Sequence, residues 1–461
     1  MSLSFVNLFY LTSAVLFITG IKGLTRPRTA VRGNLLAATG MLVAVVVTLL
    51  NQSILSYGWI IAGVILGAAT GSLLATRIQM TAMPQMVALL NGFGGGASLA
   101  VAVASFLSMD GATGIISLLA IGLTVLIGAV TLTGSAVAFG KLQGLLSGHA
   151  MGFRGITLFN ATLLALGAII VATLAGGHGG VGLLLVLTAI SLVLGVTLVL
   201  PIGGADMPVV IALLNAYSGI AAAAAGFIMG NTVLIVSGAL VGASGLILTR
   251  IMCVAMNRSL TGVLFGSLSE ERDESMDADE VYAGKVKSSS AEEVSMLLET
   301  AQRVVIVPGF GLAMAQAQHA VRDLADTLER RGVEVIYGLH PVAGRMPGHM
   351  NVLLAEAEVE YDKMQPMEQV NPHFTQTDVV IVIGANDVTN PLAREDKGSP
   401  IYGMPILDVD QARTVVVVKR SLSPGFAGLP NPLFAKDNTL MLFGDGKQAI
   451  LDLTGSLNEA A

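Results

Sequence analysis

Nine apolar runs, most of them close to twenty residues long, occupy the first 265 positions of this chain. They fall near residues 3–21, 34–50, 57–75, 83–107, 114–140, 155–175, 181–201, 207–229 and 233–255. A helix of roughly 20 apolar residues crosses the hydrocarbon core of a bilayer. In lipid, every backbone polar group must find its partner inside the structure, which such a helix achieves by itself. Residues 1–265 are therefore expected to form a bundle of membrane-spanning helices. Charge agrees with this division. That part holds nine Lys/Arg and two Asp/Glu, Asp110 and Asp206, whereas residues 266–461 hold 16 basic and 29 acidic groups. The second part reads as an acidic, soluble domain, which argues against nucleic acid as a partner. The single cysteine, Cys253, excludes a disulfide within the chain. The first run lacks a basic segment and a clear cleavage site, so it is read as a retained span.

The cations give the orientation. Lys22, Arg26, Arg28 and Arg32 lie between runs 1 and 2, Arg77 between 3 and 4, Lys141 and Arg154 between 5 and 6, and Arg250 and Arg258 at the end of run 9. Loops around 51–56, 108–113, 176–180 and 230–232 contain no Lys or Arg. Positive charge concentrates on the cytoplasmic side. The expected arrangement is thus an outside N-terminus, nine spans and a cytoplasmic C-terminal domain.

The membrane part also repeats itself. MPQMVALLNGFGG (83–95) matches MPVVIALLNAYSG (207–219) at seven of thirteen positions, and GAVTLTGSA (128–136) echoes GALVGASG (238–245). Both pairs are four spans apart and run in the same direction, so a parallel duplication of spans 3–5 and 7–9 is expected. Asn91 and Asn215 occupy equivalent places in it.

Residues 266–290, including SLSEERDESMDADE, read as a solvated acidic linker, with a helix starting at Ala291. From Arg303 onward the runs RVVIV, VEVIYG, DVVIVIGA, TVVVVKR and TLMLFG alternate with helical stretches. Continuous β-branched strands separated by helices specify a doubly wound parallel sheet, Rossmann-like, over residues 291–461. Gly309-Phe310-Gly311 follows the first strand and reads as a turn able to approach a pyrophosphate at a helix start. The third fingerprint position is Met314, which leaves helix–strand closeness open. The second strand ends in Gly338-Leu339-His340, without the acid that would hold a ribose 2′-hydroxyl. The fifth strand instead ends in Lys419-Arg420-Ser421, a pattern suited to a 2′-phosphate. Three more clusters sit at strand ends: His340 to His349 with Arg345, Gly384-Ala385-Asn386-Asp387, and the Gly/Pro-rich Ser421–Pro432, which reads as a lid.

GFGLAMAQAQ, GLHPVAGRMPGHMNVLLAEA, VIGANDVTNP, VVVVKRS, LFGDGK and GGADMPVVIALLNAYSGIAAAAAGF together resemble the beta subunit of proton-translocating NAD(P)+ transhydrogenase over essentially the whole chain. The resemblance implies that this chain binds NADP(H), in a flipped orientation relative to ordinary Rossmann domains. It implies that NAD(H) binds an alpha subunit with further membrane helices, in a homodimer of alpha–beta units in the bacterial inner membrane. Carried over, Gly309, Phe310 and Gly311 approach the pyrophosphate, and Arg345 reaches the phosphates. Lys419, Arg420 and Ser421 hold the 2′-phosphate. Asp387 lies near the nicotinamide-ribose end, and Gly384, Ala385, Asn386 and His340 are further candidates for binding the cofactor.

Hydride transfer between two nicotinamides needs no side-chain acid or base, so no catalytic side chain and no metal site are expected. Proton coupling is different. Asn91, Asn215 and Asp206 are candidate proton-path residues, and His340 and Asp387 candidate coupling residues. No histidine lies within a span, and Asn does not titrate, so the titrating group is expected on a partner's helix. A different class, a channel or transporter gated by a nucleotide-sensing domain, is the alternative, though no filter resembling TVGYG is present.

Overall fold

The computed structural model describes residues 3–24, 27–51, 57–109, 114–265, 281–282, 284–399 and 401–459. Residues 266–280 and 283 of the expected linker lie outside the described residues. By packing, the chain divides into two compact units: Met1–Gly203 with Val210–Thr249, and Gly204–Val209 with Arg250–Ala461.

Among the described residues, nine helices are long and apolar enough to cross a membrane. They are α1 (Leu3–Leu24), α2 (Pro27–Asn51), α3 (Gly58–Arg77), α4 (Met83–Leu107), α5 (Ile115–Leu142), α6 (Ile156–Ala175), α7 (Val181–Val199), α8 (Met207–Met229) and α9 (Thr232–Ala255). The protein is a multi-pass membrane protein. Two details depart from the sequence reading. Helix α2 begins at Pro27, so Arg28 and Arg32 belong to its first turns and not to a loop; proline fits a first helical turn, where its missing N–H has no partner to lose. Lys141 lies in the last turn of α5 and is buried, 6% exposed.

The duplication has a packing counterpart. A Cβ on Gly128 would lie 2.7 Å from the Gly95 carbonyl oxygen, and one on Gly95 would lie 2.7 Å from that of Gly128. In the second copy, a Cβ on Gly238 would lie 2.7 Å from the Gly219 oxygen, and one on Gly219 would lie 2.9 Å from that of Gly238. So α4 meets α5, and α8 meets α9, backbone against backbone at the same two repeat positions. In lipid no hydrophobic force separates helix from solvent, and close approach through small residues supplies the packing.

The second unit carries a six-stranded parallel sheet in the order β3-β2-β1-β4-β5-β6. Its strands are β1 (Arg303–Pro308), β2 (Glu334–Leu339), β3 (Met364–Pro366), β4 (Val379–Ile383), β5 (Thr414–Lys419) and β6 (Thr439–Phe443). Val305, Val307, Val380, Val382, Val415 and Val417 are fully buried in one core with Phe374 and Phe434, as expected of strands covered on both faces. The short β3 was not anticipated. Further on from α10 (Leu260–Phe265), the sheet is accompanied by α11 (Ala291–Glu299), α12 (Phe310–Ala315), α13 (Gln318–Arg330), α14 (His349–Glu356) and α15 (Gly446–Glu459), with one-turn helices between them. Ser290 and Glu293 form a capping box that starts α11. The described residues just before it already belong to the sheet: Ser288 bridges Met441 in parallel, and Ser289 N–H donates to the Met441 carbonyl at 2.9 Å. These contacts cover part of the β6 edge, which would otherwise invite unwanted pairing.

Candidate functional site

The strand order reverses between β1 and β4, and ligands of open parallel sheets bind at such a switch, outside the carboxyl ends of the strands. Here the ends of β1 and β4 are knitted together. Gly309 N–H donates to the Ile383 carbonyl and Gly311 N–H to that of Gly384, both at 2.8 Å. A Cβ on Gly311 would sit 2.6 Å from the Gly384 Cα, and Gly384 adopts φ +62°. A Cβ on Gly309 would likewise sit 2.4 Å from the Ala385 Cα, so both glycines of the turn are required by chain-to-chain contact. The helix that follows stops at Ala315. Gln316 is left-handed, φ 49°, and a new helix begins at Gln318. Met314 is 58% exposed, whereas Leu312 and Ala313 are fully buried. Helix-to-sheet closeness therefore comes from those two residues, and the third fingerprint position faces away.

This edge borders a cleft of about 480 Å³, within the usual range of small-molecule sites. Gly309, Phe310, Gly311, Asp387, Lys419 and Phe426 are among the residues lining it. Phe310 anchors one wall. The Arg345 guanidinium lies 4.4 Å from its ring centroid and the Phe426 ring 5.7 Å away, a cation–π and an aromatic contact. His340 stands apart from this wall. It is 2% exposed, its Nε2 donates to the Pro405 carbonyl at 2.8 Å, and its Nδ1 accepts from Val342 N–H at 3.3 Å. Burial holds its pKa down at about 4, so the ring is a neutral strand-end brace. His349, which the sequence reading left without a role, is fully buried; its Nδ1 accepts from Arg345 N–H at 3.2 Å.

The end of β5 supplies the opposite wall. Lys419 donates to the Ser423 carbonyl and stands 5.1 Å from the Phe434 ring centroid. Arg420 pairs with Asp445 at 2.8 Å, and the Ser421 and Ser423 hydroxyls are 2.9 Å apart. Asp387 faces this wall from the turn after β4. Its Oδ2 accepts from Ala427 N–H at 3.1 Å, while its Oδ1 is buried without a partner. Burial pushes its pKa up, opposed by the Ala427 and Phe426 N–H groups and by Lys419. The same burial lowers that of Lys419, with Asp387 opposing. Asn386 and Ala385 are buried behind Asp387. The structure thus brings together residues 309–311, 384–387, 345 and 419 from four strand ends. It adds Phe426 and Asp445, for which the sequence carried no signal beyond their place in a Gly-rich loop and in LFGDGK.

Of the membrane candidates, Asp206 is among the residues lining this same cleft, with Arg258, and Asn91 and Asn215 are not. Asn91 is buried in α4 and donates to the Ile211 carbonyl of α8 at 3.3 Å. Asn215 is partly buried in α8. Asp206 forms the last residue of a 3-10 turn before α8 and faces Arg258 at 3.9 Å.

Nine apolar helices among the described residues, followed by a Rossmann-like sheet whose strand ends frame a cleft lined by Lys419, define a membrane-bound protein of the nucleotide-binding class. The NAD(P) transhydrogenase beta subunit family matches residues 6–456, and the chain belongs to that family. Two relatives from Rhodospirillum rubrum, both called NAD(P) transhydrogenase subunit beta, are 46% identical over 458 residues, covering 97% of this chain and 98% of each relative.

Proposed function

We propose that this chain is the NADP(H)-binding, membrane-embedded half of a proton-translocating transhydrogenase. One observation carries the assignment of nucleotide: two cations and a hydroxyl, Lys419, Arg420 and Ser421, follow one another at the end of β5, Lys419 lines the cleft with the glycine turn, and β2 ends without a carboxylate. That donor set suits a 2′-phosphate. Arg345 and the turn at Gly309, Phe310 and Gly311 take the diphosphate, and Gly384, Ala385, Asn386 and Asp387 the nicotinamide ribose. The buried, unpartnered Asp387 Oδ1 fits a ligand hydroxyl there. The nicotinamide supplies the hydride chemistry when bound. The protein positions it, with Ser421–Pro432 as a lid that excludes water, and contributes no side-chain acid or base.

NAD(H) binds an alpha-subunit partner that also brings further membrane helices, in a pair of alpha–beta units in the bacterial inner membrane. Residues 1–265 form the translocating domain, 266–290 the linker and 291–461 the cytoplasmic NADP(H) domain. The N-terminus is outside, in keeping with the cations beside the spans. Asn91, Asn215 and Asp206 line the proton route, with the titrating group on a partner's helix. Asp387, raised in pKa by burial, and the His340 brace transmit the change at the soluble end.

The test is hydride exchange between NADPH and a spectrally distinct NAD+ analogue, using membranes that contain both subunits. Exchange that changes rate when an ionophore collapses the proton gradient is expected. Exchange indifferent to the ionophore, or none at all, would overturn the reading.

A further inference from the structure

The lid of the proposed site returns to the sheet through Asn431, which is fully buried. Its amide nitrogen donates to the Asn386 carbonyl at 3.1 Å and to Asn386 Oδ1 at 3.0 Å, and its Oδ1 accepts from Leu433 N–H at 3.0 Å. Asn390 donates to the Pro430 carbonyl at 3.0 Å. The turn after β4 thus grips the root of the lid twice, next to the point where Asp387 grips its middle. One more partner comes from far away in sequence. The Tyr282 hydroxyl accepts from the Asn431 backbone N–H at 2.9 Å, and its ring stacks on Phe434 with centroids 6.3 Å apart and planes at 18°. Tyr282 is 8% exposed and belongs to the sheet core. From there the chain stays fastened to the strand that follows the lid. Lys287 Nζ donates to the Asp437 carbonyl at 2.7 Å, and the Lys287 carbonyl accepts from Met441 N–H at 2.7 Å.

Tyr282, Lys287 and Ser288, which precede α11, are therefore stitched to the root of the lid, to Asp437 and to β6 in succession. A buried backbone N–H must find an acceptor, so displacement of Tyr282 leaves Asn431 N–H unpaired beside Asn386. We propose that Tyr282 is a positioning residue: its hydroxyl ties the segment just before α11 to the root of the lid, so that this tie sets how fast the lid opens. This rests on the reading of Ser421–Pro432 as a lid over NADP(H).

The test is Tyr282→Phe in the assembled complex, with release of NADPH followed by its fluorescence and single-turnover hydride transfer measured alongside. The phenylalanine keeps the stacking and removes only the acceptor. Losing one buried hydrogen bond that breaks on opening should speed release roughly threefold to tenfold, with the hydride step unchanged. Faster melting with unaltered release would mean that Tyr282 only fills the core, and would overturn the proposal. If the variant is not recovered folded, Lys287→Met, which cuts the neighbouring stitch, decides in the same way: faster release supports the tie and unaltered release refutes it. Wild-type complex that retains no NADPH would instead refute the assignment of the site.

Discussion

In the membrane unit, the buried ammonium of Lys141 donates to three backbone carbonyls, those of His149, Leu200 and Ile202, at 3.1, 2.6 and 2.7 Å. In the sheet unit, Arg394 meets Asp408 and Asp410, and Lys436 meets Asp410 at 2.6 Å and Glu395 at 3.6 Å. The difference follows from composition. A part of the chain with two acids in 265 residues has few carboxylates to offer, and burying a second charge is costly. Carbonyls freed at helix ends satisfy the ammonium without one. In the sheet unit the Arg394 and Lys436 side chains are about a third exposed, so water shares the cost and ion pairs suffice. What the units have in common is backbone-to-backbone contact through glycine, at Gly95 with Gly128 and Gly219 with Gly238 in one, and at Gly311 with Gly384 in the other.

That shared device is the place to strain the comparison. Gly384→Ala should have the largest effect, because it combines a left-handed residue with overlap on the Gly311 backbone. The expected loss is about 4 kcal/mol, seen as a lower melting transition of the sheet unit in detergent. An unchanged transition would mean that the β1–β4 contact is dispensable.

Acid should separate the two units next. The depressed pKa of His340, about 4 against about 6.5 unfolded, means that the folded state resists protonation. Its contribution is complete above pH 6.5 and is lost as pH falls toward 4, amounting to roughly 3 kcal/mol at most. His349, also held near 4 by burial and by Arg345, adds in the same direction. No histidine lies in α1–α9. His340→Gln should flatten the acid slope of the sheet unit's transition, and a slope of the same size in the variant would contradict the assignment.

The smallest effect distinguishes the two membrane copies. Gly128→Ala and Gly238→Ala should each cost about 2 kcal/mol, read as similar drops in the membrane unit's melting temperature. A loss confined to one of them would show that the repeat is a likeness of sequence without equivalent packing.

The membrane spans were legible because length and hydropathy alone specify them, and five strands because their runs are short, apolar and mostly rich in β-branched residues. Strand β3 escaped because Met364-Gln365-Pro366 has neither β-branching nor alternation. The break at Gln316 escaped because its cause is tertiary: the β1 turn is locked to Gly384, and the chain must redirect before α13. Of the residues lining the cleft, Lys419 could be found from its place at the end of a strand. The Asp445 partner of Arg420, the Phe310–Arg345–Phe426 wall and the Asn431 hub join residues distant in sequence, and single-chain patterning does not carry such pairs. Lys141 looked like an ordinary loop cation because nothing local reveals that three carbonyls converge on it.

The account stands on the cation pair at the end of β5. Binding of NADPH and of NADH to the full-length protein should be compared before and after Lys419 and Arg420 are both replaced by alanine. Strong preference for NADPH, falling by on the order of a hundredfold in the double variant at low salt, is the expected result. A protein that prefers NADH, or a double variant that keeps its preference for NADPH, would contradict it.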